Sequence, residues 1–398
     1  MKTPNGLLKP LLISAFITLL SLPLGASERQ GYFGAQLTSP EAGPGVEILT
    51  VLPGSPAAKA DFEVGDIITK IDGIAAEAPN QVAEQLRALG LGNTAVVSFT
   101  RGKQSRTTNL TLGANPWQNA DQADPSLLGV TVKTDISYTE NSAHPRHKLD
   151  LYLPKLESDY PALLWIHGGG WSFGDKENER ALAMRFAERG IAVAVMNYRL
   201  SNGQWADPEA PDGGVTHPAH VNDVADAFAW LHSNKDSLNI GAIYVGGHSA
   251  GGHLAALLAS DSQYLADRDL KLSDVAGAIP IGGAYDIPDY HAALISGDPV
   301  LGDAHIRAVF GETKAQWLDA SPTEFLEHSS VPMLVVVEEQ AGFQRYARRI
   351  ERAAKRAERS NVTLFDAEGR THGNVILLMS GRHKDEVRTK ILEFIRAS

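Results

Sequence analysis

The chain has 398 residues, 43% hydrophobic and 21% charged, with a formal net charge of −11 and no cysteine. Such a composition suits a soluble globular protein large enough for two domains, and its acidity disfavours nucleic acid or an anionic membrane surface as a partner. Without cysteine there are no disulfides, no thiolate metal site and no lipid attached through sulfur, so packing alone must hold the fold.

The chain opens with Lys2 and Lys9, the apolar run LLISAFITLLSL from Leu11 to Leu22, and PLGA ending at Ala26. This pattern predicts a secretory signal over residues 1–26. A run of twelve residues as a helix reaches about 18 Å, short of the ~30 Å hydrocarbon core that a permanent span must cross, so no stable membrane span is expected. Removing the signal takes away two lysines and no acid, moving the charge from −11 to −13. The mature protein is expected to be exported, to the periplasm or beyond.

In VGDIITKIDG the apolar residues alternate as in a half-buried strand that enters a turn at Asp72-Gly73, where glycine can take a positive φ. Ser55-Pro56 ahead of AAKA fits a short helix with a serine N-cap and proline at its first position. NQVAEQLRAL, Asn80 to Leu89, has a helical pattern. With GYFGAQL (Gly31 to Leu37), VLPGSPAAKADFEVGDIITKIDG (Val51 to Gly73) and VVSFTRGK (Val96 to Lys103), these segments resemble a PDZ domain of the kind attached to bacterial periplasmic proteases, over residues 31–113. The resemblance implies that the loop Tyr32, Phe33, Gly34, Ala35 offers backbone N–H groups to the terminal carboxylate of a peptide or protein, which adds as a strand. The family has a glycine after AAKA; Asp61 stands there, which predicts modest destabilisation rather than a different fold. Residues 114–128, containing ANPWQNADQADPS, are polar and without apolar periodicity, and read as a linker.

From residue 129 to 398, apolar runs alternate with amphipathic stretches: HKLDLYLP, PALLWIHGG, AVAVMNYRL, IGAIYVGGHS, VAGAIPIGG, PMLVVVE and NVTLFDA. That alternation predicts an α/β unit with a mainly parallel sheet covered on both faces, whose active site collects at the carboxyl ends of strands. One such end is GGHSAGG, with a G-x-S-x-G core of Gly247, Ser249 and Gly251; small neighbours permit the sharp turn that lifts the serine oxygen clear. Another is WIHGGGWSFGDK, Trp165 to Lys176, where successive glycines let backbone N–H groups crowd a substrate oxygen. Gly168, Gly169 and Ala250 are the oxyanion-hole candidates. Pro288 to Ser330 interrupts the alternation and reads as a cap over a pocket, to which Trp171, Trp205 and Tyr285 could contribute.

His167 to Trp171, NYRL at Asn197 to Leu200, HPAHVNDVADAFAWL and GHSAGGH together resemble the α/β-hydrolase fold, nearest the HGGG-bearing esterases of the kynurenine formamidase-like and feruloyl-esterase-like groups. The resemblance implies cleavage of small-molecule carboxylic esters through an acyl-serine, with no cofactor and no metal. A serine hydroxyl needs a base within hydrogen-bond reach. Chain order in this fold is serine, acid, histidine, which makes His372 in RTHGNVI the base. His248 only flanks the serine, and His217 and His220 read as structural.

The acid is the open position. The family places it just after the penultimate strand, here VVVEEQAGF, Val335 to Phe343. A plain alignment sets Gln340 on the usual aspartate; a one-residue gap sets Glu339 there, with Glu338 as substitute. Glu339 is the expected acid, Asp286 in GGAYDI is a further candidate, and a chain with no acid would be a slow or inactive hydrolase. Two rival functions stay open beside a serine esterase: a serine peptidase, and a binding scaffold built on a defunct hydrolase.

Overall fold

The computed structural model describes residues 32–40, 43–51, 55–90, 92–113, 125–139, 144–156, 159–381 and 384–397. The signal expected over residues 1–26 and most of the linker expected over 114–128 lie outside them. The chain divides into two compact units on either side of residues 122 and 123. Among the described residues no helix is long and apolar enough to cross a membrane.

The first unit is an antiparallel sheet of β1 (Ala35–Thr38), β2 (Val46–Val51), β3 (Ile67–Ile71), β4 (Ile74–Ala75), β5 (Thr94–Arg101) and β6 (Gln104–Thr111), in the order β1-β2-β3-β5-β6 with β4 on β3. Val46, Ile48, Ile68, Val82, Val97 and Leu110 form its core. Helix α1 (Pro56–Lys59) is capped as its sequence predicts: the Ser55 hydroxyl accepts from the Ala58 N–H at 3.1 Å, with proline next. Helix α2 (Pro79–Leu89) buries Val82 and Leu86.

Asp61 does take the left-handed backbone expected of a glycine, at φ 62°. A side chain there costs energy, and the structure answers with a clamp. The Arg101 guanidinium donates to Asp66 at 2.8 and 2.9 Å, to Glu63 at 2.5 Å and to the Asp61 carbonyl at 2.5 Å. Asp66 is fully buried and also accepts from the Glu63 N–H at 2.8 Å. Removing Asp66 takes two charge-assisted bonds from Arg101 and leaves it the more exposed Glu63. Asp66→Ala should therefore lower the stability of this unit, read as a lower midpoint of its transition in a urea melt of the full chain.

The second unit holds an eight-stranded sheet of β7 (Val130–Ser137), β8 (Lys148–Pro154), β9 (Tyr160–Ile166), β10 (Ala192–Met196), β11 (Ile240–His248), β12 (Gly277–Ile281), β13 (Met333–Val337) and β14 (Val362–Asp366). Its order is β14-β13-β12-β11-β9-β10-β8-β7. Strands β9 to β14 run parallel, while β7 and β8 pair antiparallel at one edge. Pro125–Leu128, expected to end the linker, instead forms a 3-10 turn whose Leu128 packs on this unit's core.

Both faces of the central strands are covered. Ala162, Leu164 and Ile166 of β9 join one cluster, with Val224 and Phe228 of α4 (Ala219–Ser233), Leu254 and Leu257 of α5 (Ala250–Ser260) and Ile350 of α10 (Ala341–Arg356). Leu163 and Trp165 join the other, with Leu182 and Phe186 of α3 (Arg180–Ala187), Met379 of α11 (Val375–Ser380) and Ile391 of α12 (Glu386–Arg396). A short α6 (Gln263–Ala266) follows α5. Between β12 and β13 the alternation breaks, as expected, into α7 (Ile287–Gly297), α8 (Pro299–Phe310) and α9 (Lys314–Asp319).

Candidate active site

Ser249 sits between β11 and α5 with φ 57° and ψ −118°, a strained backbone for a residue with a side chain. The turn closes because the residues two places to either side have none. A Cβ on Gly251 would lie 2.0 Å from the Ile166 carbonyl oxygen, and one on Gly247 would lie 2.5 Å from the same atom. Both glycines therefore let α5 start directly against the end of β9. The Ser249 N–H donates to the Ile281 carbonyl at 2.8 Å, tying the turn to β12 as well.

His372 lies after β14 and reaches this turn: its Nε2 is 2.9 Å from the Ser249 hydroxyl oxygen. Its Nδ1 faces the Glu338 carboxylate at 2.7 Å. The carboxylate that meets His372 is thus that of Glu338, not that of Glu339. Strand β13 ends at Val337, and the next residue, fully buried, turns its side chain along the sheet end, whereas Glu339 points to solvent. Glu339 contributes only its backbone N–H, which donates to the Arg370 carbonyl at 2.8 Å. Gln340 also serves the histidine loop, its side-chain oxygen accepting from the His372 N–H at 3.0 Å. Asp286 caps α7 by accepting from the Asp289 N–H at 2.9 Å, an anchoring role away from the imidazole.

Glutamate reaches so far because the strand between offers no obstacle. Gly282 follows β12 at φ 56°, and a Cβ there would fall 2.5 Å from Glu338 Oε1 and 2.7 Å from its Cδ. The carboxylate crosses this gap to meet His248 too, whose Nε2 lies 3.2 Å from Oε1. Burial by itself would raise the Glu338 carboxyl's pKa, but the imidazoles of His372 and His248 outweigh it and hold it down at about 2. Burial, then the neighbouring His372, pushes His248 below the ordinary imidazole range, towards its neutral form. Phe343 of α10 stacks on the His372 ring, 3.8 Å between centroids at an angle of 7°.

These three groups are also the one set among the described residues with three metal-capable donors, all within 4.8 Å. Their nitrogen–oxygen separations of 2.7 and 3.2 Å are hydrogen-bond lengths, and a buried ionised carboxylate requires N–H donors there. His217 and His220 have separate partners, Asp319 at 3.0 Å and the Ser201 hydroxyl at 2.9 Å, in keeping with structural roles.

The glycine loop approaches from β9. A Cβ on Gly168 would sit 3.2 Å from that of Ser249, so this backbone lines the serine directly. Gly169 at φ 120° leaves room for the Phe173 carbonyl, 2.3 Å from a hypothetical Cβ. The N–H groups of Gly168, Gly169 and Ala250 donate to no protein acceptor among the described residues. Arg146 braces the loop from outside: it donates to the Gly174 carbonyl at 2.9 Å and to the Tyr198 carbonyl at 2.7 Å, and its Nη2 lies 3.1 Å from His167 Nε2. Arginine only donates, so His167 accepts there and donates from Nδ1 to the Gly168 carbonyl at 2.7 Å. Burial first, then Arg146, lowers the His167 pKa to about 4, consistent with this neutral tautomer.

Trp171 and Tyr285 are buried, and Trp171 carries the cap: Tyr290, His305 and Phe310 lie 6.1, 5.8 and 4.9 Å from it by ring centroid. Trp205 is only half-buried, bonded through its indole N–H to Ser172 at 3.0 Å. In the first unit, Gly34 at φ 81° packs on Ser55, where a Cβ would meet another at 2.2 Å. Phe33 is buried, its carbonyl accepts from the Ala57 N–H at 2.9 Å, and β1 beyond it pairs, among the described residues, on one side only, with β2.

Comparison with known proteins agrees with both units. Residues 149–341 match the BD-FAE family and residues 31–112 the PDZ domain. Kynurenine formamidase of Salmo salar is 27% identical over 239 residues, 58% of this chain and 71% of that protein. The carboxylic ester hydrolase LipN of Mycobacterium tuberculosis is 36% identical over 111 residues, 27% of each. Esterase B from Lactobacillus rhamnosis superposes with a TM-score of 0.55 at 20% identity, over 70% of this chain and 88% of that one, a likeness of fold.

The residues that sequence reasoning missed are Gly282, His248, Phe343 and Arg146. In the sequence His248 stands out only as the serine's neighbour, Phe343 only as the end of VVVEEQAGF and Gly282 only as one of paired glycines at a strand end, while Arg146 carries no signal. Gly282→Ala should push the carboxylate out of place and lower the rate at which Ser249 reacts with a fluorophosphonate by at least ~100-fold, with circular dichroism unchanged.

Proposed function

We propose, from the premise that this chain joins a BD-FAE domain of the α/β-hydrolase esterases to a PDZ domain, that it is an exported serine esterase held near its substrate by peptide recognition. The observation that carries the reading is His372, bonded at one nitrogen to Ser249 and at the other to a buried carboxylate.

The chemistry follows from that geometry. Ser249 Oγ attacks the carbonyl carbon of a carboxylic ester while His372 Nε2 takes its proton. Glu338 holds the imidazole with Nδ1 protonated and offsets the positive charge that develops. The N–H groups of Gly168, Gly169 and Ala250 receive the oxyanion, supplying about 3 kcal/mol apiece where such donors have been removed. The imidazolium returns its proton to the departing alcohol, and water repeats the sequence on the acyl-serine to release the acid. No cofactor enters these steps.

Relatives named as carboxylic ester hydrolases and esterases support an ester rather than a peptide substrate. Export follows from the leader over residues 1–26. The PDZ unit takes a peptide C-terminus as an added strand on β1, with the N–H groups of Phe33, Gly34 and Ala35 around its carboxylate; the Tyr32 N–H, expected there too, instead donates to the Gly113 carbonyl at 2.9 Å.

A fluorophosphonate probe should label the wild-type protein and not Ser249→Ala, and a short p-nitrophenyl ester should turn over faster than a matched peptide amide. No labelling points to a scaffold, and faster amide turnover to a peptidase. Glu338→Gln should lower kcat by about 10³–10⁴-fold, whereas Glu339→Gln should stay within about twofold of wild type. With the Glu338 carboxyl held at about 2, it stays ionised across the working range, so the acid limb of kcat/KM should follow a single proton. For the PDZ unit, peptides ending in an apolar residue should saturate it in calorimetry, and amidating the terminus should weaken binding at least ~10-fold.

A further inference from the structure

Glu338 meets a second imidazole that the acyl-transfer steps do not use. His248 is the last residue of β11, Glu338 the first after β13, and Gly282 lies beyond the end of β12 between them. The carboxylate divides its oxygens across this gap: Oε2 to His372 Nδ1 at 2.7 Å, Oε1 to His248 Nε2 at 3.2 Å. We propose that His248 is a positioning residue, whose Nε2–H holds the far oxygen of Glu338 and so fixes the near one on His372. The inference rests on the serine-hydrolase reading and deepens it.

Two physical facts require such a residue. Glutamate has one more rotatable bond than aspartate, so a single contact leaves its carboxylate free to swing and to swap oxygens. It is also fully buried, where water cannot complete its hydrogen bonding and an unmet oxygen favours protonation or withdrawal. One donor at each oxygen removes both problems. An ionised carboxylate accepts only, so His248 must carry its proton on Nε2, and a neutral ring does this without adding a second cation beside the reacting imidazole. His248 also packs on the His372 ring, 4.4 Å between centroids, while Phe343 stacks on it at 3.8 Å. The ring is thereby held by contacts on its faces as well as at its nitrogens.

The test compares His248→Ala, His248→Asn and His248→Gln in the full chain, with kcat and KM for a short p-nitrophenyl ester and the downfield proton spectrum. Glutamine places an N–H about as far from the backbone as Nε2, and asparagine falls one methylene short. The alanine and asparagine variants should lose about 10-fold or more in kcat with KM within about twofold, and glutamine should recover to within about threefold of wild type. Equal kcat in all of them, a loss expressed in KM, or glutamine as slow as asparagine overturns the proposal. Should the alanine variant not fold, the glutamine and asparagine pair decides alone. If wild type neither labels nor turns over ester, the hydrolase reading fails separately. The spectrum then judges His248: an exchange-protected imidazole N–H signal present in wild type and missing in His248→Gln supports it, and the same set of protected signals in both refutes it.

Discussion

A carboxylate taken wholly out of water must find every hydrogen bond it needs inside the protein. Glu338 is such a group, and much of the second unit's active end can be traced to its needs. It demands an imidazole at each oxygen, which sets where β11 and the loop after β14 may end. It also demands an empty corridor past β12, which only a glycine at 282 leaves open. The parallel order β14-β13-β12-β11 makes this possible, since it places the ends carrying the acid, the gap and the serine turn side by side. The loop of His372 is then secured by backbone and side-chain bonds from Glu339 and Gln340.

Small residues do a second job at the serine. Gly247 and Gly251 are pressed so closely on Ile166 that the strained Ser249 backbone is the way the chain can pass from β11 into α5. Such strain persists when the surroundings over-determine it. Here the neighbours are β9, β12 and the glycine loop, itself braced by Arg146 and by the stacking of Tyr198 on His167 at 4.4 Å. Trp171 links that loop to the cap helices, so the pocket wall and the oxyanion backbone share one support.

Much of this was legible in the sequence. Seven apolar runs read as strands became β8 to β14; β9 to β13 stand out most because buried parallel strands are continuously apolar. The antiparallel edge strand β7, half polar and exposed, did not. That the Ser249 and His372 side chains meet was legible because their surroundings, a small-residue turn and a loop after the last strand, are constrained chemically. The acid was missed by one residue for a definite reason. In VVVEE the hydrophobic run does not say where the strand stops, and in extended chain one step reverses which way a side chain faces. Nor could sequence show that Gly282 clears the path, since that depends on which strands are neighbours. Asp61 was read correctly as an aspartate in a glycine's place, but its rescue by Arg101, 40 positions away, is a tertiary fact.

The margin of β1 away from β2 has a further consequence. An unpaired strand invites other chains to stack upon it, and long flat margins of this sort nucleate fibrils. This one is four residues long, and its register with β2 slips between Gln36 and Leu37. An irregularity so near the middle twists the ribbon away from flatness, which makes it a poor template for endless self-addition. Brevity and that kink thus limit self-addition along this strand.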